Sequence, residues 1–186
     1  MESLLGIVIF YHYVQHKEYD YRTHDWVPVK GDWYEEMTPF KVERNGKPLK
    51  LLSNETSRSV WTDEEIVVKV DRSIPQANGE ANVWLKVEEA DKQFFAPMLE
   101  CGDGYCVQEY IPLARGRDME NVWLYDSTTE FYEAASALFL KYDLMWDFHP
   151  GQYAVDKRTG LLCIHDYCGD DNTESRFSTL RIGKVA

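Results

Sequence analysis

The chain has 186 residues, enough for one domain or for two small lobes that share a cleft. Its 44% hydrophobic and 14% aromatic content supports a packed core and excludes a disordered chain. With 20 basic against 32 acidic residues the net charge is −12, which argues against non-specific binding to nucleic acid or to an anionic membrane, since both require positive charge.

The N-terminal run LLGIVIFYHYV (4–14) is apolar but too short to span a bilayer, and Met1–Glu2 supplies no basic leader region. It is expected to be a core strand of a soluble, cytoplasmic protein. From 4 to 28 the Tyr, Val, Ile and Trp content, with alternation in EYDYRTHDWVPV, predicts one or two strands. GDW (31–33) and NGKP (45–48) are turn signals. The segment 50–70, KLLSNETSRSVWTDEEIVVKV, predicts two strands joined around a polar tip, with EIVVKV the most strand-like run of the chain. SIPQANG (73–79) interrupts it, and EANVWLKVEEADKQFF (80–95) predicts a helix with Ala81, Trp84, Leu85 and Ala90 on its apolar side.

YCVQEYIPL (105–113) is a further predicted strand, closed by Pro112. A second helix is expected over 128–144, capped by Asp126 or Ser127, with Phe131, Ala135, Leu138 and Tyr142 at helical spacing. After the loop LMWDFHPGQY (144–153), YAVD–KRTG–LLCIHD (153–166) predicts a strand, a turn and a strand, and 168–186 is polar and irregular. Four cysteines stand at Cys101, Cys106, Cys163 and Cys168, two pairs with four residues between. That spacing is at the edge of zinc-site patterns, so reduced, buried thiols are expected. The order of elements predicts an α+β chain with a cleft between a mostly β half and a mostly α half.

Several residues could carry phosphoryl-transfer chemistry, which needs a lysine for nucleotide phosphates, an acid to hold it, oxygen ligands for magnesium and a carboxylate near the attacking hydroxyl. Lys69 sits inside an apolar strand run, where its stem can cross the sheet face while its ammonium reaches a cleft. An edge-strand lysine that blocks aggregation is the competing reading. Glu80 opens the following helix, where an acid also suits the helix dipole. Asp147 and Gln152 share one loop, and Asp166 ends the next apolar strand.

The loop DFHPGQ resembles the D-L-H-P-G-N loop of the aminoglycoside and choline kinase-like branch of the protein-kinase-like superfamily, matching at Asp147, His149, Pro150 and Gly151. IHDYC resembles the ending that places a metal-binding aspartate, here Asp166. Small bacteriophage-encoded serine/threonine kinases have a similar loop and a similar economy of length. The resemblance covers 51 to about 167. It implies a bilobal protein-kinase-like fold, with a β-rich N-lobe (1–110, including extra N-terminal strands) and a truncated helical C-lobe (111–186). It also implies that Asp147 accepts or orients the proton of the attacking hydroxyl. Lys69 would grip the phosphates of ATP, with Glu80 as its ion-pair partner. Gln108 to Tyr110 would meet adenine, Asp166 and Gln152 would bind Mg2+, and His149 would brace the loop.

The expected function is therefore an ATP-dependent kinase acting on a serine or threonine hydroxyl of a protein substrate. Three features support an alternative, a pseudokinase that binds a partner protein without phosphoryl transfer. The loop 53–60 has no glycine, Gln152 stands where asparagine is usual, and only 20 residues follow Asp166, too few for the activation segment and substrate-binding helices of protein kinases; Met145 also stands where histidine is common. A third reading, an acidic inhibitor of a host protein, rests on net charge alone.

Overall fold

A computed structural model describes residues 3–15, 17–28, 35–54, 58–72, 77–114, 129–145, 148–149 and 151–167. The architecture is α+β and mainly β. In the N-terminal quarter, β1 (Ile7–Gln15) pairs antiparallel with β4 (Glu35–Arg44), while β2 (Lys17–Asp20) and β3 (Asp25–Pro28) form a hairpin of their own. The first 28 residues thus hold three strands rather than one or two. β4 carries Pro39, tolerated because the ladder slips there: Phe10 faces Lys41 and Tyr11 faces Pro39, so Phe40 is the extra residue of a bulge. The expected GDW turn lies outside the described residues. NGKP does form a turn, with Asn45 and Gly46 both at positive φ, and leads into the short β5 (Lys47–Pro48).

The 50–70 segment forms three strands, not two: β6 (Lys50–Asn54), β7 (Arg58–Thr62) and β8 (Ile66–Asp71). The unforeseen turn at Asp63–Glu65 has neither glycine nor proline. Asp63 Oδ1 accepts the backbone N–H groups of Glu65 and Ile66, and Glu64 takes a positive φ, an Asx-type turn made by one side chain. With β9 (Met98–Gly102) and β10 (Tyr105–Glu109) these strands build a five-stranded antiparallel sheet in the order β6-β7-β8-β10-β9. The crossover between β8 and β9 contains helix α1 (Ala77–Lys86) and a 3-10 turn at Lys92–Phe94, so the predicted 80–95 helix starts earlier and stops sooner. Its apolar side also differs: Ala77, Ala81 and Val83 are buried, whereas Leu85 is exposed.

Strand periodicity divides the core around this sheet. Ile66, Val68 and Val70 alternate along β8 and pack with Trp61, Val107, Val42, Leu49 and Ile7 beneath the N-terminal strands. The opposite face of the sheet meets α1. There a second cluster runs from Ala77, Ala81, Cys101 and Cys106 to Ala135, Phe139, Tyr153, Ile164 and Tyr167, so one continuous core crosses the 110/111 boundary.

The predicted strand 105–113 breaks after Glu109 and resumes only as the short β11 (Leu113–Ala114). β11, β12 (Tyr153–Asp156) and β13 (Leu162–Ile164) form a small sheet, the last two being the predicted hairpin. Helix α2 (Glu130–Lys141) is capped by Thr129, whose side chain accepts the Tyr132 N–H; Asp126 and Ser127 lie outside the described residues. The Ala96 N–H to Ile164 carbonyl bond (2.8 Å) and the Tyr167 hydroxyl to Ala96 carbonyl bond (2.8 Å) fasten the hairpin to the approach of β9.

Candidate functional site

Because Val68 and Val70 face the N-terminal strands, Lys69 between them must face α1. The register gives it a row of neighbours on that face: Val60 lies opposite Lys69 on one side, Cys106 on the other, and Cys101 opposite Cys106. α1 sets Glu80 in its first turn over this row. Lys69 Nζ donates to Glu80 Oε1 at 2.6 Å and to the His165 carbonyl at 2.6 Å, and it lies 3.5 Å from Asp166 Oδ1. Glu80 is wholly buried, and its second oxygen accepts from the Cys106 thiol at 2.8 Å.

A residue not anticipated from the sequence, Arg58, completes the cluster. It is buried at the start of β7, directly opposite Asp71 in the ladder. Its Nε donates to Asp71 Oδ1 at 3.1 Å, while Nη1 lies 3.2 Å from Glu80 Oε1 and 3.6 Å from Asp166 Oδ1. The other Asp71 oxygen accepts the Ala77 N–H, at the start of α1, at 2.9 Å. Two cations and three carboxylates from β7, β8, α1 and the segment after β13 thus meet in one place.

The charge states follow from these contacts. Burial opposes the charge of Lys69, but Glu80 and Asp166 outweigh it and raise the ammonium pKa. The same contest leaves Arg58 further above its ordinary value, with Glu80 the leading favourable partner. For Asp166, burial works upward, yet Lys69 and then Arg58 hold the carboxyl well below the usual carboxylate range. Its side chain remains 41% exposed, so it is the member of the cluster that can meet a ligand. Burial first and Glu80 second push the Cys106 thiol well up, which makes it a neutral donor rather than a thiolate nucleophile.

The loop residues are held from below. Phe148 packs among Phe139 (4.9 Å between ring centroids), Tyr132 (5.5 Å) and Tyr153 (5.8 Å). The His149 N–H donates to Gln152 Oε1 at 3.0 Å, and His149 Nδ1 accepts the Gly151 N–H at 3.0 Å, so His149 does brace its own turn. Gln152 is buried, and its carbonyl accepts the N–H groups of His165 (2.9 Å) and Asp166 (3.3 Å). It therefore joins the loop directly to the Asp166 segment. Asp147 and Pro150 lie outside the described residues.

On β10, Gln108 is buried and faces the Tyr167 hydroxyl. Its amide nitrogen makes no hydrogen bond of standard geometry, although its proximity tempers the burial-driven rise of the Tyr167 pKa. The N–H groups of Glu109 and Tyr110 are engaged by the carbonyls of Pro97 and Glu65, both at 2.9 Å. Any adenine contact from 108–110 would use other backbone groups.

Of the residues singled out from the sequence, Lys69, Glu80 and Asp166 converge, and Gln152 touches the same segment through its carbonyl. Gln108 and Tyr110 lie along the strand exit beyond. Arg58 and Asp71 could have been found by pairing β7 with β8 around the Asp63 turn, since that register sets them opposite one another. The described cysteines, Cys101, Cys106 and Cys163, are buried. Among the described residues no group of three or more His, Cys, Asp or Glu side chains is arranged to hold a metal ion, and no helix is long and apolar enough to cross a membrane. Comparison with known proteins yields no matching family model, no similar curated protein and no similar solved structure.

Proposed function

We propose that this chain is an ATP-dependent phosphotransferase of the protein-kinase-like type, with 1–110 as its nucleotide lobe and 111–186 as a minimal second lobe. The observation that carries this reading is the buried Lys69–Glu80 pair at 2.6 Å, with the Asp166 carboxylate 3.5 Å from the same ammonium. Protein kinases use a strand lysine paired to a helix glutamate to hold nucleotide phosphates, and a separate aspartate for magnesium. A chain gains little stability from burying such charges, because an apolar replacement of similar volume is often neutral or better. Their retention around one partly open carboxylate points to a functional site.

In this reading Lys69 contacts the phosphates of ATP, Asp147 serves the acceptor hydroxyl, and a protein serine or threonine is the acceptor. Mg2+ would be held by Asp166, where it would neutralise phosphate charge. The ionised, partly exposed Asp166 carboxylate suits that role. The Gln152 amide oxygen, the other proposed ligand, accepts the His149 N–H, and the two lone pairs of an amide oxygen allow a metal beside that bond. That bond, together with the engaged N–H groups of Glu109 and Tyr110, favours a second reading in which the fold binds nucleotide or a partner protein without transfer.

Calorimetric titration with magnesium-ATP tests the binding. The expected result is saturable binding that Lys69→Met weakens by at least about tenfold, as loss of a charge-assisted contact should, while Lys50→Met on β6 leaves it unchanged. Absence of binding by the native chain, or equal effects of the two substitutions, overturns the proposal. Phosphate transfer lost in Asp147→Ala supports the enzyme. Binding with no transfer by the native chain leaves the non-catalytic reading.

A further inference from the structure

We propose that Arg58 is a positioning residue of this site, which through Asp71 and Glu80 fixes the start of α1 and thereby aims Lys69 and Asp166. The proposal rests on the phosphotransferase reading for its purpose, but its geometry is independent of it. Arg58 alone touches all three acids of the cluster, which come from three different segments: Asp71 on β8 (3.1 Å), Glu80 on α1 (3.2 Å) and Asp166 after β13 (3.6 Å). Its side chain is 7% exposed, so these are its principal charge partners rather than water.

The chain of contacts runs in one direction. Arg58 Nε holds one Asp71 oxygen, and the other Asp71 oxygen takes the Ala77 N–H, one of the unpaired donors at a helix start. One turn further on, Arg58 Nη1 lies 3.2 Å from the same Glu80 oxygen that receives Lys69 Nζ, at ion-pair distance but without hydrogen-bond geometry. The helix is thus tied at its first residue through Asp71 and at Glu80 by charge. Nη2 adds a weak 3.8 Å contact to the Cys106 sulfur, whose thiol donates to the second Glu80 oxygen.

The guanidinium fork spreads its donors over a rigid plane, so that Nε meets Asp71 while Nη1 lies beside Glu80, a span that the compact ammonium of lysine does not match. Within the glycine-free segment 53–60, Arg58 at the start of β7 thus supplies the group that organises these acids.

Two measurements on the full chain test the role. Hydrogen exchange reports on α1 without any nucleotide. In Arg58→Met, amide exchange across 77–86 should accelerate about tenfold to a hundredfold, the loss expected when a charge-assisted contact is removed, while α2 keeps its native protection. Asp71→Asn, which preserves an acceptor for the Ala77 N–H but not the charge pair, should move exchange in the same direction and serves if Arg58→Met does not fold. Unchanged α1 exchange in the folded variant overturns the proposal.

The second measurement is magnesium-ATP affinity well below the melting temperature. Arg58→Lys should bind at least about tenfold more weakly than the native chain, because charge without the fork does not restore the geometry. Native affinity in Arg58→Lys refutes the fork. A merely structural arginine would lower the melting temperature without moving affinity. If the native chain binds no nucleotide, the functional proposal falls, and the exchange result still decides the positioning role.

Discussion

The sharpest stability prediction concerns Glu80. Its carboxylate is fully buried and serves three partners: Lys69 at 2.6 Å, Arg58 at 3.2 Å and the Cys106 thiol at 2.8 Å. Among the described residues, Glu80→Ala removes the only wholly buried anion between the two cations. Asp166 stands 3.5 and 3.6 Å from them but is partly solvated, and Asp71 is engaged with Arg58 and the α1 terminus. Removing one side of a buried ion pair costs about 3–5 kcal/mol, against a total stability of about 5–15 kcal/mol for a typical domain. At about 2–4 °C per kcal/mol for a chain of this size, the midpoint of thermal unfolding should fall by roughly 6–20 °C.

Glu80→Gln keeps the volume and one acceptor, but its amide N–H groups must face either a donor thiol or a cation. Its cost should be smaller, about 1.5–3 kcal/mol, the range for a hydrogen bond to a charged group. Urea unfolding at neutral pH reads both changes. Glu89→Ala is the control, because Glu89 is 88% exposed opposite Lys92 and should matter by no more than about 0.5 kcal/mol. The buried effect should also survive added salt, which screens exposed pairs preferentially. A cost below about 1 kcal/mol for Glu80→Ala would refute the inference that this carboxylate holds the cluster together.

Three further outcomes follow from the same structure. Asp156 is held below its ordinary pKa, first by the Arg158 hydrogen bonds and against burial, so its contribution is present above the unfolded carboxyl pKa of about 3.9 and lost as pH falls through the lower folded value. The stability gap between the native chain and Asp156→Asn should therefore be full at pH 7 and close progressively below about pH 4; a gap constant to strong acid would contradict the linkage. Burial pushes the Cys101 and Cys163 thiols up to about 12 and raises Cys106 as well, so iodoacetamide at pH 8 should spare all three until urea is added, as peptide mass mapping would record. Gln152→Asn withdraws the amide oxygen from the His149 N–H and removes one buried methylene, which should cost about 1–2 kcal/mol in urea unfolding; no loss would mean that the His149 bond contributes nothing.

The legible part of the chain was the part where a side chain violated its local pattern. Lys69 inside IVVKV is polar in an apolar strand, and period two then dictates that it faces away from Val68 and Val70. Glu80 was legible as a helix-opening acid and Asp166 as the end of an apolar strand. The site members that sequence reasoning missed were hidden by a turn without glycine or proline. Until Asp63 is recognised as capping the Glu65 and Ile66 N–H groups, β7 and β8 merge into one strand and nothing sets Arg58 against Asp71. Over β4 no element was drawn from the sequence, and Pro39, which disfavours a strand interior, is accommodated there by a bulge.

Gln152 shows why residue type alone did not fix a role. From the sequence it is an asparagine substitute whose amide oxygen is a candidate metal ligand. In the fold its longer side chain turns back to the His149 N–H, while its backbone carbonyl receives His165 and Asp166. The His165 carbonyl in turn receives Lys69. A path of hydrogen bonds therefore runs from His149 through Gln152 to the segment that carries Asp166 and holds the strand lysine. The side chain anchors the loop and the backbone aligns the cluster, so the residue organises both halves of the candidate site without needing to bind metal. Gln152 thus has a structural part in this turn, and Asp147 is the residue whose substitution separates the catalytic from the non-catalytic reading.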